Sequence, residues 1–202
     1  MITKEQLKIL KVYYGNIFAE LTFKQIKEKS GQKSNNIVQI ALKEFIKQDL
    51  INTRLTGDVK TYYLNFNDDL ALSYVNLINA LEIKRRNFPK NILAQIKEVL
   101  FKQTKLFILI VFGSYAKNKA NPKSDLDIAI IIDSEELKKE IIPLIETVKR
   151  RELKKIDYHI FTEKEFSEML NSDYENIGKQ ICKNSFIYYG FIQYSDLMRR
   201  IK

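Results

Sequence analysis

The chain has 202 residues, 45% of them hydrophobic and 29% charged, with 34 Lys+Arg against 25 Asp+Glu and a net charge of +9. That length fits one large domain or two small ones, and the composition excludes a disordered chain. A single cysteine, Cys182, excludes an internal disulfide framework and argues against a cysteine-based zinc site, and no run reaches the ~18–20 uncharged apolar residues of a membrane helix.

The first elements are helical. Residues 3–14 carry Leu7, Leu10, Val12 and Tyr14 toward a core. Thr22 and Gln25 have the spacing of a capping box, in which side chains satisfy orphan N–H groups at a helix start. The short helix they open is expected to end near Ser30-Gly31. A third helix is expected from Ser34 to Asp49, with a buried stripe of Ile37, Val38, Ala41, Leu42, Phe45 and Ile46. Two β-rich runs follow, Leu50–Leu55 and Val59–Phe66, around the hairpin signal Thr56-Gly57-Asp58. Helix, short helix, turn, helix and hairpin is the order of a winged helix-turn-helix over residues 1–66. Residues 67–104 read as a helical connector. One helix runs from Leu70 to about Arg86, and another follows the break at Asn87-Phe88-Pro89.

Beyond residue 104 the pattern changes. Leu106–Phe112 and Leu126–Ile132 are nearly all apolar and β-branched, as strands buried on both faces are. Ser134–Arg150 reads as a helix interrupted or bent at Pro143. Ile156–Phe161 is a third strand, and Thr162-Glu163-Lys164-Glu165 opens another helix. Two last helical stretches, 173–183 and 191–201, are joined through Ser185–Gly190.

The chemistry is concentrated where the first of these strands ends. Gly113-Ser114 follows Phe112 directly, and after a ten-residue spacer the next strand opens with Asp125-Leu126-Asp127. Alternation puts Asp125 and Asp127 on one face, where two carboxylates repel unless a cation neutralises them. Oxygen ligands suit Mg²⁺ or Mn²⁺. Gly113 lets the backbone approach a phosphate, and Ser114 offers it a hydroxyl and an N–H.

Gly-Ser, the spacer, and Asp-x-Asp on a strand resemble the DNA polymerase β-like nucleotidyltransferase superfamily. The Ser124-Asp125-Leu126-Asp127 wording resembles its minimal branch. Gly190 and Tyr194 in the tail are similar to that branch too, and the resemblance covers roughly residues 88–200. It implies a third metal carboxylate on a later strand, which Ile156-Asp157-Tyr158 supplies as Asp157. It further implies transfer of a nucleotide from a nucleoside triphosphate, with AMP from ATP expected, to an acceptor hydroxyl. Mg²⁺ or Mn²⁺ would sit on Asp125, Asp127 and Asp157, with Gly113 and Ser114 on the β- and γ-phosphates. The acceptor implied is a partner protein, as for antitoxins of the branch, or tRNA or a small molecule. Those antitoxins are little more than the catalytic domain, so a winged helix departs from their pattern. His159 and the spacer lysines Lys117, Lys119 and Lys123 read more simply as structural or solvated residues.

The expected fold class is α/β (α+β). An N-terminal winged helix precedes a nucleotidyltransferase fold over residues 105–202, with a short mixed β-sheet flanked by helices. Residues 1–66 hold 11 Lys+Arg and 6 Asp+Glu, so +5 of the charge lies there. Lys33, Asn36, Gln39 and Lys43 follow helical spacing away from the apolar stripe, and Arg54 and Lys60 lie on the hairpin. These types suit base edges and phosphates, so DNA is the expected partner. The competing reading is a DNA-binding regulator whose second domain senses nucleotide or forms a homodimer without turnover. Met1–Gln6 carries charge where a signal peptide needs its apolar core, so a cytoplasmic compartment and no membrane contact are expected.

Overall fold

Side-chain caps fix several helix starts. Thr3 with Gln6, Thr22 with Gln25 and Thr162 with Glu165 each form a reciprocal capping box. The computed structural model describes residues 2–201. It divides the chain into two compact units, Met1–Glu82 and Ile83–Lys202, with the division inside helix α4 (Asp69–Arg85).

The first unit begins with α1 (Lys4–Leu10), which is shorter than the sequence pattern indicates. The chain tightens into a 3₁₀ turn at Lys11–Tyr13, which keeps Tyr13 buried. The rest of the unit runs β1 (Leu21–Thr22), α2 (Phe23–Ser30), α3 (Asn35–Lys47), β2 (Ile51–Thr56), β3 (Val59–Leu64) and most of α4. The strands form an antiparallel sheet in the order β1-β3-β2. Gly57 has φ +58° in the turn between β2 and β3, a conformation that favours glycine. Helix α3 buries Val38, Ala41, Leu42 and Phe45. Ile37 and Ile46, expected in that stripe, are 43% and 38% exposed. They flank the buried arc, which is too narrow to include them at 100° per residue.

The second unit is built on α5 (Lys90–Gln103), β4 (Ile108–Val111), α6 (Gly113–Ala116), β5 (Leu126–Ile132), α7 (Glu135–Arg151) and β6 (Ile156–Thr162). It closes with α8 (Glu163–Asn171), α9 (Ile177–Lys183), β7 (Phe186–Tyr189) and α10 (Phe191–Ile201). The sheet order is β6-β5-β4-β7. β5 and β6 are parallel, and β4 is antiparallel to both β5 and β7, so the sheet is mixed. Every residue of β4 is buried, as are Ile128–Ile132 of β5. Each such side chain contributes about 1.5–3 kcal/mol of hydrophobic stabilisation. Helices α5 and α7 pack against each other.

Two local expectations need correction. β7 occupies the stretch read as a plain connection at Ser185–Gly190. Its strand character comes from pairing with β4 along the sheet edge. Helix α7 is continuous through Pro143. Pro143 is exposed, while Ile141, Ile145 and Val148 are buried and hold the helix in place on either side of it.

Candidate active site and nucleic-acid face

The parallel register of β5 and β6 assembles the acidic cluster. Asp127 is the direct partner of Asp157, and Leu126 is the partner of Ile156. Direct partners in a parallel pair share a face, so both carboxylates stand on the same side of the sheet, and alternation places Asp125 with them. The Tyr158 hydroxyl, on the other side, donates to Glu146 of α7 at 2.7 Å.

Gly113 opens α6 directly after β4, with φ +65°. A Cβ built there would lie 1.9 Å from Oδ2 of Asp127. The glycine is therefore needed so that the Asp127 carboxylate can lie against the turn. The Ser114 backbone N–H donates to that carboxylate. The expected role of Gly113 was backbone approach to a phosphate; the structure shows a second reason for it, the close approach of Asp127.

Burial is the main cause that pushes Asp127 above the usual carboxylate range. The charges of Asp157 and Asp125 push the same way, and the Ser114 N–H opposes them. Asp125 is already paired: Nζ of Lys155 lies 2.6 Å from its Oδ2. Nε2 of His159 is 4.0 Å from Asp157 Oδ2, and its ring stacks on Phe161 at 5.9 Å between centroids. That stacking gives His159 a packing role.

Among the described residues, no three histidine, cysteine, aspartate or glutamate side chains converge as a ready metal cage. The donor chemistry nonetheless fits a hard divalent cation. The three carboxylates are oxygen donors on one face, and a side-chain ammonium already neutralises one of them. Asp157 is 59% exposed and Asp125 33% exposed, so both can turn without disturbing the core.

Residues 94–187 match the family model described as Polymerase beta, Nucleotidyltransferase. The matched segment is a little under half of the chain and contains Gly113, Ser114, Asp125, Asp127 and Asp157. The match supports a nucleotidyltransferase domain there and nucleotidyl transfer as its general reaction type. The mixed α/β architecture agrees with that fold. Comparison with curated proteins finds no match, and neither does comparison with solved structures.

The site also contains residues that composition and motif do not single out. Lys155 is one. Arg86 is another: its Nη1 donates to Tyr115 O at 3.0 Å and to Ala116 O at 2.7 Å, holding the C-terminal end of α6. Lys154 donates to Pro122 O at 2.7 Å and Ser124 O at 3.1 Å, fastening the loop that carries the exposed Lys117, Lys119 and Lys123. The signal for Lys155 was its place two residues before Asp157, which strand alternation puts on the same face.

In the first unit, Lys33, Asn36, Gln39, Lys43 and Lys60 are exposed. Ile37 and Ile40 share the exposed side of α3 with Asn36, Gln39 and Lys43, and Leu55 and Val59 are exposed on the hairpin. Arg54 is engaged within the unit. Its guanidinium pairs with Glu20 at 3.0 Å and lies over the Tyr63 ring at 5.4 Å. Nζ of Lys60 lies 5.7 Å from the centroid of Tyr62. No helix among the described residues is long and apolar enough to cross a membrane.

Proposed function

We propose that the second unit is a Mg²⁺- or Mn²⁺-dependent nucleotidyltransferase that moves a nucleotide, AMP from ATP in the first instance, to an acceptor hydroxyl. The observation that carries this reading is the juxtaposition of Asp127 and Asp157 across β5 and β6, with Asp125 on the same face and Gly113-Ser114 against Asp127. When bound, the cation held by these carboxylates supplies charge neutralisation at the phosphate oxygens.

The chain's own residues do the positioning. Gly113 leaves room for the Asp127 carboxylate beside the turn. Ser114 offers its hydroxyl to the β- and γ-phosphates, while its N–H is engaged with Asp127. Arg86 holds the α6 carbonyls, so the turn keeps its shape when anionic substrate arrives. Asp157 is the most exposed of the three carboxylates, which supports reading it as the one nearest an acceptor hydroxyl. Little else is asked of the protein in such a displacement, because positioning and charge stabilisation carry most of the catalysis.

The first unit is read as a winged helix that binds DNA. The element order from α1 to β3, the exposed polar residues of α3 and the +5 charge of residues 1–66 support it. Incubating the full chain with each labelled triphosphate, Mg²⁺ and cell extract, then identifying the labelled product, tests the reaction and names the acceptor class. Labelled protein, tRNA or small molecule each point to one acceptor. No label dependent on Asp127 would overturn the reading.

A further inference from the structure

Lys155 lies against the acidic cluster but belongs to no motif. Its ammonium lies 2.6 Å from Asp125 Oδ2, although the lysine side chain is 75% exposed and free to extend into solvent. The contact follows from the fold. Leu126 and Ile156 are register partners, and the Leu126 N–H donates to Lys155 O at 2.9 Å. Positions 125 and 155 therefore stand side by side at the entrance to the parallel strand pair. Three carboxylates on one face would repel, and Lys155 places its ammonium on one of them, Asp125.

We propose that Lys155 is a tethered counter-ion of this cluster, and that a divalent cation reaches Asp125 only by displacing its ammonium. The inference rests on the metal reading of the three carboxylates. Two of them already have partners, Asp125 on Lys155 and Asp127 on the Ser114 N–H. Exchange needs no backbone movement. The lysine swings outward on its flexible stem, and the Asp125 carboxylate is freed to turn toward Asp127 and Asp157. Lys155 thus sets a threshold of cation concentration below which the site stays neutralised by the protein itself.

The test is binding of Mn²⁺ alone to the full chain, followed by the paramagnetic signal of free Mn²⁺. Lys155→Gln should bind Mn²⁺ about two- to fivefold more tightly than the unmodified chain, the scale of an exposed ion pair. In the Asp125→Asn background the same lysine change should have a much smaller effect, because the ammonium then acts on Asp157 and Asp127 only through space. In metal-free buffer Lys155→Gln should melt slightly below the unmodified chain, and the difference should shrink toward zero at saturating Mn²⁺, because the metal-bound chain no longer has the ion pair. Equal or weaker Mn²⁺ binding by Lys155→Gln overturns the counter-ion role while leaving the metal site standing. Absence of Mn²⁺ binding in every variant overturns the metal reading and the proposal with it.

Discussion

Gly113 answers two constraints at once, a φ of +65° and an Asp127 carboxylate that leaves no room for a Cβ. Gly113→Ala should push Asp127 off the Ser114 N–H and add about 1 kcal/mol of left-handed backbone strain. Ser114→Ala keeps the backbone N–H and loses only the hydroxyl, about 1–3 kcal/mol at most. Triphosphate binding measured by calorimetry should therefore suffer more from Gly113→Ala; the reverse order would show that the hydroxyl dominates. Asp127 makes a pH prediction. Its pKa is raised by burial first, so below the unfolded-state carboxylate pKa both states are protonated and the group exacts no penalty. Between that value and the raised one the unfolded chain ionises while the folded chain resists ionising Asp127 against burial and two neighbouring charges, so stability falls over that window and levels off above it. Asp127→Asn should remove that decline, so its melting-temperature advantage in metal-free buffer should appear as pH rises through the carboxylate range and then level off. The gain should stay under about 1 kcal/mol, because the group is partly exposed and screened. An advantage at acid pH that disappears toward neutrality would refute the stated cause.

Helix α7 shows what an element can absorb. Pro143 lacks the N–H that would bond four residues back, yet the helix runs unbroken from Glu135 to Arg151. Pro143→Ala should raise stability by roughly 1–3 kcal/mol in chemical denaturation, since the site is exposed and the neighbouring packing is unchanged. No gain would mean that the ring has a packing role the exposure does not show. The sequence marks Pro143 as an interruption or a bend, and the helix is not interrupted because Ile141, Ile145 and Val148 pack on either side, which local propensity does not register. Capping boxes behave in the opposite way. Thr22-Gln25 and Thr162-Glu165 are legible because the whole motif lies within four residues. Thr3-Gln6 is equally local. β7 was hidden because four residues carry no period of their own, and pairing with β4 makes them a strand. Asp125 and Asp127 could be read from alternation and Asp157 from the family resemblance, but the Asp125–Lys155 pair depends on a register between segments thirty residues apart.

At the scale of the molecule, the chain carries two kinds of surface on two units. Exposed lysines and amides gather with Ile37 and Ile40 on α3, and a carboxylate cluster lies on the β5–β6 pair. If α3 meets DNA, Lys43→Glu and Lys60→Glu in the full chain should weaken binding to all duplexes and each reduce the salt slope by about one. Asn36→Ala or Gln39→Ala should mainly lower the preference for one duplex over a scrambled one. None of these should change triphosphate binding. A full chain that ignores DNA at low salt would remove the DNA-binding reading, make the first unit an interaction or dimerisation module, and leave the nucleotidyl-transfer reading intact. The central claim is tested most directly by supplying the full chain with Mg²⁺, cell extract and ATP labelled at either the α- or the γ-phosphate. The account predicts that only the α-label moves to an acceptor, with pyrophosphate released, and that Asp127→Asn or Asp157→Asn abolishes the transfer. Transfer of the γ-label, or α-label transfer undiminished in those variants, would contradict it.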